Sequence, residues 1–260
     1  MDIEKKIPVY INDEIHEYSE NTTLENVARD FQNSFPHRII LARVNGKLKE
    51  LTREITSNAH IEFVTTGEKI GEQSYRRTAT LILTKAVSDL YGHKTDLIVQ
   101  FSMHKGYYCE IVNHMPISEA DLEYIRKRMT ELIDQNLPIE KQMLPSEEAA
   151  RIFDSNGMEE KAKLLKYRRA SYVNMYLLED VADYYYGYMA PSTGYITNFE
   201  LVPYHDGFVL QMPVAEAPEV ILPFKPSEKV FRVLKESTIW GERIGVCNAG
   251  QLNEKICNGN

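Results

Sequence analysis

The chain has 260 residues, of which 43% are hydrophobic, and its formal net charge is -8 with a pI near 5.5. This length can bury a sizeable core and favours two domains over one. The acidic balance argues against strong nonspecific binding to nucleic acid, because that binding comes largely from lysine and arginine contacts with phosphate. No apolar run is long enough to cross a bilayer and the N-terminus lacks the apolar segment of a signal peptide, so the sequence predicts a cytoplasmic protein without membrane contact.

The cysteines of the chain restrict its chemistry. Cys109, Cys247 and Cys257 are too few and too scattered for a disulfide framework or a C-x-x-C metal site. The sequence therefore predicts reduced thiols.

The first 67 residues have the pattern of a compact α+β module. Strands are predicted at residues 6–11, 15–18, 38–48 and 60–66. Apolar residues at helical spacing predict a helix at 24–31, which Thr22 or Thr23 would cap. Together these elements predict a small sheet that packs on one helix.

This module resembles a TGS domain, a small β-grasp-like fold, through the order of its segments I-P-V-Y-I, T-L-E-N-V-A, A-R-V-N-G-K-L and I-E-F-V-T-T-G. TGS domains occur at the N-termini of threonyl-tRNA synthetases and in certain GTPases and nucleotide-metabolising proteins, usually as accessory modules. The resemblance implies a domain at residues 1–67 that serves interaction or regulation, and it names no reaction.

The rest of the chain has the pattern of a larger α+β domain with an antiparallel sheet. Helices are predicted at residues 74–91, 118–135, 146–157 and 158–167, with Ser146 as an N-cap and Gly157 as a stop. Strands are predicted within 97–112 and at 170–178, 181–189, 194–202 and 208–213, the last four as an antiparallel meander. This domain is predicted to span 68–225, and helical patterns continue through 226–260.

The second region resembles the second additional domain of threonyl-tRNA synthetases, which follows TGS in those enzymes and hydrolyses mischarged tRNA. The matching motifs are R-R-T-A-T-L-I-L-T-K-A-V, K-G-Y-Y-C-E-I, P-S-E-E-A-A-R-I-F and the tyrosine-rich segment D-Y-Y-Y-G-Y-M-A-P-S-T-G at residues 183–194. In those enzymes an H-x-x-x-H pair and a C-x-x-x-H pair can meet around a metal or a catalytic water.

All four of those positions carry other residues in this chain. The helix pair falls on Arg77 and Leu81, and the second pair falls on Tyr185 and Met189. Arginine has no lone pair for a metal, leucine has no polar atom, and a neutral tyrosine beside a thioether is a poor zinc site. The sequence therefore predicts no catalytic residue, no metal and no cofactor in this chain, and a pocket that is repurposed or filled.

With these replacements, the tyrosine-rich segment resembles that of a family of bacterial uridine-kinase-like nucleoside kinases. In that family Y-Y-Y-G-Y precedes P-S-T-G-Y, and a P-loop kinase domain follows. This chain contains no G-x-x-x-x-G-K-[S/T] run. The resemblance implies a noncatalytic regulatory or ligand-binding region of such a kinase, with residues 226–260 as a helical linker. It implies a pyrimidine nucleoside as substrate of the absent kinase domain, with ATP and magnesium as cofactors there.

The partners implied by this interpretation are a nucleoside or nucleotide ligand and the C-terminal kinase domain, and tRNA is not expected. The alternative interpretation is a module similar to threonyl-tRNA synthetase that edits aminoacyl-tRNA or binds tRNA. Deacylation of Ser-tRNA by the isolated chain would favour that alternative.

Six residues are candidate ligand contacts: Arg76, Arg77, His104, Tyr185, Tyr186 and Tyr188. Tyrosine rings can stack on a base, arginines can hold phosphate, and His104 stands at a hairpin turn where it can donate to a ligand. Each has a structural alternative, namely packing of the rings, capping of a domain junction and a solvated turn. The basic cluster of Lys166, Arg168 and Arg169 favours a solvated loop over RNA contact.

Overall fold

The computed structural model describes residues 6–12, 14–92, 95, 97–112, 114, 116–155, 158–166 and 170–257. These residues form an α+β fold with one mixed sheet and two antiparallel sheets, so the predicted fold class is confirmed. Gly157, Arg168 and Arg169, which were singled out in the sequence, lie outside the described residues.

The first unit is a five-stranded sheet with one helix. It contains β1 (Lys6–Ile11), β2 (Glu14–Ser19), α1 (Leu24–Phe31), β3 (Ile39–Val44), β4 (Lys47–Glu50) and β5 (Ala59–Thr65). The strand order is β2-β1-β5-β3-β4, and β1 runs parallel to β5. Thr23 caps α1, since its side chain accepts a hydrogen bond from the Asn26 amide at 3.3 Å.

The second unit alternates helices with short strands. Its elements are α2 (Lys69–Tyr91), β6 (Leu97–Met103), β7 (Gly106–Ile111), α3 (Glu119–Asp134), β8 (Glu140–Pro145), α4 (Ser146–Ser155), α5 (Glu159–Lys166), β9 (Tyr172–Leu178), β10 (Val181–Tyr184), β11 (Glu200–Tyr204) and β12 (Gly207–Gln211). Two helices follow, α6 (Glu228–Arg243) and α7 (Ala249–Cys257).

Helix α2 begins at Lys69 rather than at the predicted Ser74. Gly71 disfavours a helix by propensity, yet it lies in the first turn of α2. A Cβ atom on Gly71 would lie 2.0 Å from the Thr65 carbonyl oxygen, so glycine is what allows the first turn of α2 to pack against β5.

The predicted four-stranded meander is wrong, because its strands belong to two sheets. Strands β10, β9 and β8 form one sheet, and β11, β12, β7 and β6 form the other. The strand predicted at 181–189 ends at Tyr184, and Gly187 takes a φ of 137° that breaks its extended course. Further on, the Thr193 hydroxyl accepts from the Leu137 amide at 2.8 Å and donates to the Leu132 carbonyl at 2.6 Å, which ties the chain to the end of α3.

One apolar core runs through both units, from Ile7 in β1 to Met212 after β12, and it includes buried residues of α2 and α3. The two units therefore share one apolar core. The domain boundaries at residues 1–67, 68–225 and 226–260 stay predictions. Within the described part of the chain, no helix is long and apolar enough to span a membrane.

A buried carboxylate joins the two units. Glu50, at the end of β4, is 4% exposed. It accepts hydrogen bonds from the Tyr176 hydroxyl at 2.6 Å, the Lys141 ammonium at 2.9 Å and the Met189 amide at 3.1 Å. Burial and the Glu50 carboxylate raise the pKa of Tyr176, so its proton stays available to Glu50.

We expect Glu50→Ala to lower the free energy of unfolding by about 3 kcal/mol, because three donors of the second unit would lose their acceptor. Urea titration followed by circular dichroism measures the loss. Glu17→Ala is the matched control, since the Glu17 carboxylate is 65% exposed and lies 3.9 Å from Lys6. It should cost less than about 0.5 kcal/mol. Equal losses in the two variants would contradict the central role of Glu50.

Candidate functional site

A cleft of about 390 Å³ opens beside α2, and we call it the α2 cleft. Its walls come from α2, β6, β7, α4, α5 and the end of β10. Its polar side chains belong to Arg77, Thr80, Thr84, Tyr107, Lys161, Asp183, Tyr184 and Tyr185. A larger concavity of about 890 Å³ between α4 and α5 is lined by Lys166 and Ala170 among others. Residues 167–169 lie outside the described residues, so the α2 cleft is the better-defined site.

One face of α2 forms the polar side of the cleft. Arg77, Thr80 and Thr84 are spaced three and four residues apart, which places them on the same side of the helix. The Thr80 and Thr84 hydroxyls donate to the backbone carbonyls one turn earlier, at 2.9 and 3.0 Å. Their oxygen lone pairs can still accept a hydrogen bond from a ligand.

Arg77 is held against the tyrosine-rich segment. Its guanidinium donates to the Tyr188 carbonyl at 3.3 Å. A Cβ atom on Gly187 would lie 2.4 Å from the Arg77 Cζ atom, so glycine is required for this close approach. The side chain that replaces the first histidine of the H-x-x-x-H pair thus supplies a fixed positive charge at one end of the cleft.

A buried acid lies at the other end of the cleft. Asp183 is 7% exposed, and its Oδ1 accepts from the Lys161 ammonium at 2.8 Å and from the Tyr184 amide at 2.7 Å. Burial raises the pKa of Asp183, and the charge of Lys161 opposes that shift. The Asp183 carboxylate is therefore paired with Lys161 but is largely shielded from water.

The Tyr185 hydroxyl is buried beside Asp183 and Thr84. Burial and the Asp183 charge raise the pKa of Tyr185 well above 10.0. Although Asp183 and Thr84 are close enough to act on this pKa, neither meets the geometry of a hydrogen bond, and the hydroxyl has no partner among the described residues. An unpaired buried donor of this kind is costly in a folded protein and is typical of a functional position.

The six predicted ligand contacts lie in different places in the structure, and their function stays a prediction. Arg77 and Tyr185 line the α2 cleft, whereas Tyr186 is 82% exposed. The Tyr188 ring lies 5.5 Å from the Lys141 ammonium. The tyrosines therefore do not share the single stacking surface that the sequence suggested.

Two of the predicted contacts belong to the turn between β6 and β7 and the helix beside it. Arg76 forms an ion pair with Glu72 at 3.0 Å and donates to the Lys105 carbonyl at 2.9 Å, and both partners belong to the second unit. His104 is an exposed turn residue with a φ of 51°. Neither Arg76 nor His104 lines the α2 cleft, so a ligand bound there would contact other residues.

Sequence reasoning missed Asp183, Lys161 and Thr84. Asp183 has a local signal, because the alternation of V-A-D-Y in β10 places it on the same face as the buried Val181. Lys161 has no such signal, since it reaches the cleft from α5. Its position depends on how the helices pack.

We call the H-x-x-x-H and C-x-x-x-H pairs of the synthetases the editing pairs. Of the four residues at those positions in this chain, two line the α2 cleft and two lie in the core. Leu81 is fully buried and Met189 is 1% exposed, so both serve packing. Among the described residues, no group of three or more His, Cys, Asp or Glu side chains is placed to hold a metal ion. The predictions of no catalytic residue, no metal and no cofactor in this chain stay predictions.

A second, more polar groove of about 630 Å³ follows the seam between the two units. Arg29 and Arg53 reach it from the first unit, and Lys141, Asn136 and Ser192 reach it from the second. Both arginines are exposed. Glu25, Glu50 and Glu140 line the same groove, which we call the seam groove, so its acidic and basic side chains are equal in number.

No family model matches the chain. Among curated proteins it is similar to the threonine-tRNA ligase of Syntrophotalea carbinolica, with 32% identity over 188 residues, and to that of Carboxydothermus hydrogenoformans, with 28% over 192. It is 30% identical over 189 residues to threonine-tRNA ligase 2 of Bacillus subtilis. These matches cover 72% to 74% of this chain, which spans about 30% of the length of each relative.

These relatives overturn the interpretation of the chain as part of a uridine-kinase-like nucleoside kinase. The predictions of a kinase-domain partner and of a transferase activity are therefore wrong. The prediction that tRNA is not a partner is wrong as well. The kinase resemblance depended on the tyrosine-rich segment and on P-Y-H-D-G-F-V-L-Q-M-P at residues 203–213. In the first of these, Tyr184 packs in a small apolar cluster and Tyr186 faces solvent. Such residues respond to local packing and identify no family. ATP and magnesium as cofactors of a separate domain remain untested.

We expect Tyr185→Phe to leave the free energy of unfolding unchanged or slightly raised, because the hydroxyl it removes has no partner. Tyr176→Phe is the matched control. Its hydroxyl donates to buried Glu50, and the loss should cost about 1 to 3 kcal/mol. Thermal and urea unfolding of both variants provide the comparison. A cost for Tyr185→Phe as large as that for Tyr176→Phe would mean that the Tyr185 hydroxyl is bonded.

The raised pKa of Asp183 gives a pH-dependent prediction. Since the folded pKa lies above the unfolded value of 3.8, the stabilising contribution is complete below 3.8 and is lost as pH rises through the folded pKa. Asp183→Asn removes this titration while its side-chain oxygen can still accept from the Tyr184 amide. Urea titrations from pH 3.5 to 8 should therefore show the variant gaining stability relative to the wild type as pH rises. A difference that stays constant with pH would refute this assignment.

Proposed function

We propose that this chain is a tRNA-binding module that receives the aminoacylated 3′ end of a tRNA in the α2 cleft and does not hydrolyse it. The observation that carries the proposal is the similarity to threonine-tRNA ligases over 188 residues, combined with the replacement of all four side chains of the editing pairs. The relatives' names state an action on tRNA, and the second unit resembles the domain that receives mischarged tRNA in such enzymes.

The chemistry of the α2 cleft supports binding. Its charged ends, Arg77 and the Asp183–Lys161 pair, suit the phosphate and the amino group of an aminoacylated terminal nucleotide. The unpartnered Tyr185 hydroxyl offers a further donor. A volume of about 390 Å³ falls in the range of small-ligand pockets.

The same cleft lacks the means of hydrolysis that the editing pairs supply. The guanidinium of Arg77 has no lone pair with which to act as a base, and burial raises the pKa of Tyr185. The Lys161 ammonium is held by Asp183 at 2.8 Å. These properties support binding without turnover.

Phosphate contacts depend on where the cations lie rather than on the net charge of the chain. At the seam groove the exposed Arg29 and Arg53 are the candidate phosphate contacts, beside the acidic Glu25, Glu50 and Glu140. A function on tRNA would also place the protein in the cytoplasm.

The test uses a tRNA whose 3′ end carries threonine or serine through an amide, which resists hydrolysis. Fluorescence anisotropy should detect binding, and Arg77→Ala should weaken it about tenfold because a charge-assisted contact is lost. Arg232→Ala, on an exposed position of α6, is the control and should bind as the wild type does. Absence of binding by the wild type would overturn the proposal.

A parallel assay with ester-linked Ser-tRNA separates binding from editing. We expect the ester to decay at the same rate with and without the protein. Faster hydrolysis of the ester in the presence of the protein would show that the chain is an editing enzyme and would overturn the proposal of binding without hydrolysis.

A further inference from the structure

Helix α6 uses one of its faces to pack on the second unit. Among its side chains, all of which the structure describes, Phe231 alone is buried, and it packs with Tyr108 and Val209 in a small apolar cluster. One turn further on, the Lys235 ammonium forms an ion pair with the buried carboxylate of Glu110. This face of α6 is therefore already occupied.

The opposite face of α6 carries a row of exposed side chains, which we call the α6 stripe. Its members follow one another at alternating intervals of three and four residues: Val230, Val233, Ser237, Trp240 and Ile244. The four apolar members are between 41% and 64% exposed. Ile244 continues the helical course, since its amide donates to the Trp240 carbonyl at 3.1 Å. This spacing is that of positions a and d in a coiled coil, with Val230, Ser237 and Ile244 at a.

The α6 stripe has the composition of a protein contact. Trp240 is the single tryptophan of the chain and is 64% exposed. Tryptophan is enriched at the positions that contribute most energy to protein interfaces. Covering the stripe is favourable by about 25 cal/mol per Å² of apolar surface removed from water. A seam of a and d residues is narrower than the face that a helix packs against a core, and it fits a second helix with the same pattern.

The charged residues of α6 favour a protein partner over a lipid surface. Helices that lie on membranes carry mostly lysine and arginine on their polar face. In α6, three glutamates are interspersed among four lysines and arginines. The helix therefore lacks the strong positive charge that an anionic membrane attracts.

We infer that the α6 stripe binds the α6 stripe of a second copy of this chain, with the two helices antiparallel and related by a two-fold axis. In an antiparallel pair, each a position of one helix lies opposite a d position of the other. One register places Val233 opposite Ile244 of the second copy, and Ser237 opposite Trp240 of the second copy. The small side chain of Ser237 leaves room for the indole ring. The two-fold axis repeats each contact.

Charges beside the stripe select this orientation and this register. The g positions that flank it are Lys229, Glu236 and Arg243. In the register above, Glu236 lies beside Arg243 of the second copy, and the two-fold axis gives that ion pair twice. A shift by one heptad would place Lys229 beside Arg243 and Glu236 beside Glu236, so like charges would meet. In a parallel pair, Glu236 would lie beside Gly241, which carries no charge.

The two charged groups of this ion pair are available for it. Glu236 and Arg243 are both exposed, and neither is ion-paired with another residue in the described part of the chain. The stripe is therefore complementary, in shape and in charge, to a second copy of itself.

Sedimentation equilibrium of the chain tests the inference. An interface of one short helix from each copy lies at the small end of specific interfaces, so we expect a dissociation constant of about 10 μM. Samples that span about a hundredfold in concentration around that value should pass from monomer to dimer. The fluorescence emission of Trp240 should shift to shorter wavelength over the same range, because the indole loses contact with water.

Charge reversal tests the partner and the register. Glu236→Arg and Arg243→Glu should each weaken the dimer about tenfold, since each places like charges together at both symmetric sites. The double variant E236R/R243E restores opposite charges and should associate as the wild type does, which requires self-pairing in this register. Glu242→Arg makes the same change of charge at an exposed position outside the stripe, and as the control it should leave association unchanged. Circular dichroism checks that every variant is folded.

Several results would overturn the inference. One is a chain that stays monomeric at the highest concentration. Another is a dimer that the single charge reversals leave unchanged or that the double variant fails to restore, because the contact would then involve another surface. Vesicles of phosphatidylcholine and phosphatidylglycerol test a lipid surface instead. A shift of the Trp240 emission on vesicles, without self-association, would assign the stripe to a membrane. None of these results depends on tRNA binding at the α2 cleft.

Discussion

The hydrogen bonds to the Glu50 carboxylate hold together the two units of this protein. One buried side chain at the end of β4 receives donors from β8, from β9 and from the tyrosine-rich segment. The bond from the Met189 amide fixes the course of that segment, which carries Tyr185 into the α2 cleft. The cleft is therefore shaped in part by the first unit, although none of its lining side chains comes from β1 to β5.

The α2 cleft retains polar groups that lower stability rather than raise it. The Tyr185 hydroxyl is buried without a partner, and Asp183 is held where its ionised form is incompletely solvated. Leu81 and Met189, in contrast, have become ordinary core residues. A cleft that needed only to be filled would be apolar throughout, so the remaining polar groups support the proposal of a ligand site.

Two errors of the sequence interpretation have the same origin. Neither the net charge nor a short run of residues shows where the side chains lie in the folded protein. The net charge of -8 does not reveal that the exposed Arg29 and Arg53 lie together at the seam groove, where they are the candidate phosphate contacts. The tyrosine-rich segment suggested a kinase relative and a stacking surface, yet Tyr185 and Tyr186 point into different surroundings. Similarity over 188 residues to threonine-tRNA ligases outweighs a resemblance in one short segment.

The sequence by itself determined the α+β class, most of the helices and strands and the loss of the editing pairs, because each of these is read from residues close together in the chain. Alternation in β1 and helical spacing in α1 report burial of one face within a few residues. The tertiary structure alone decided the division of β9 to β12 between two sheets, the partners of Glu50 and the set of side chains that line the α2 cleft. Those contacts join residues as far apart as Glu50 and Met189, and no local periodicity encodes which distant elements pair.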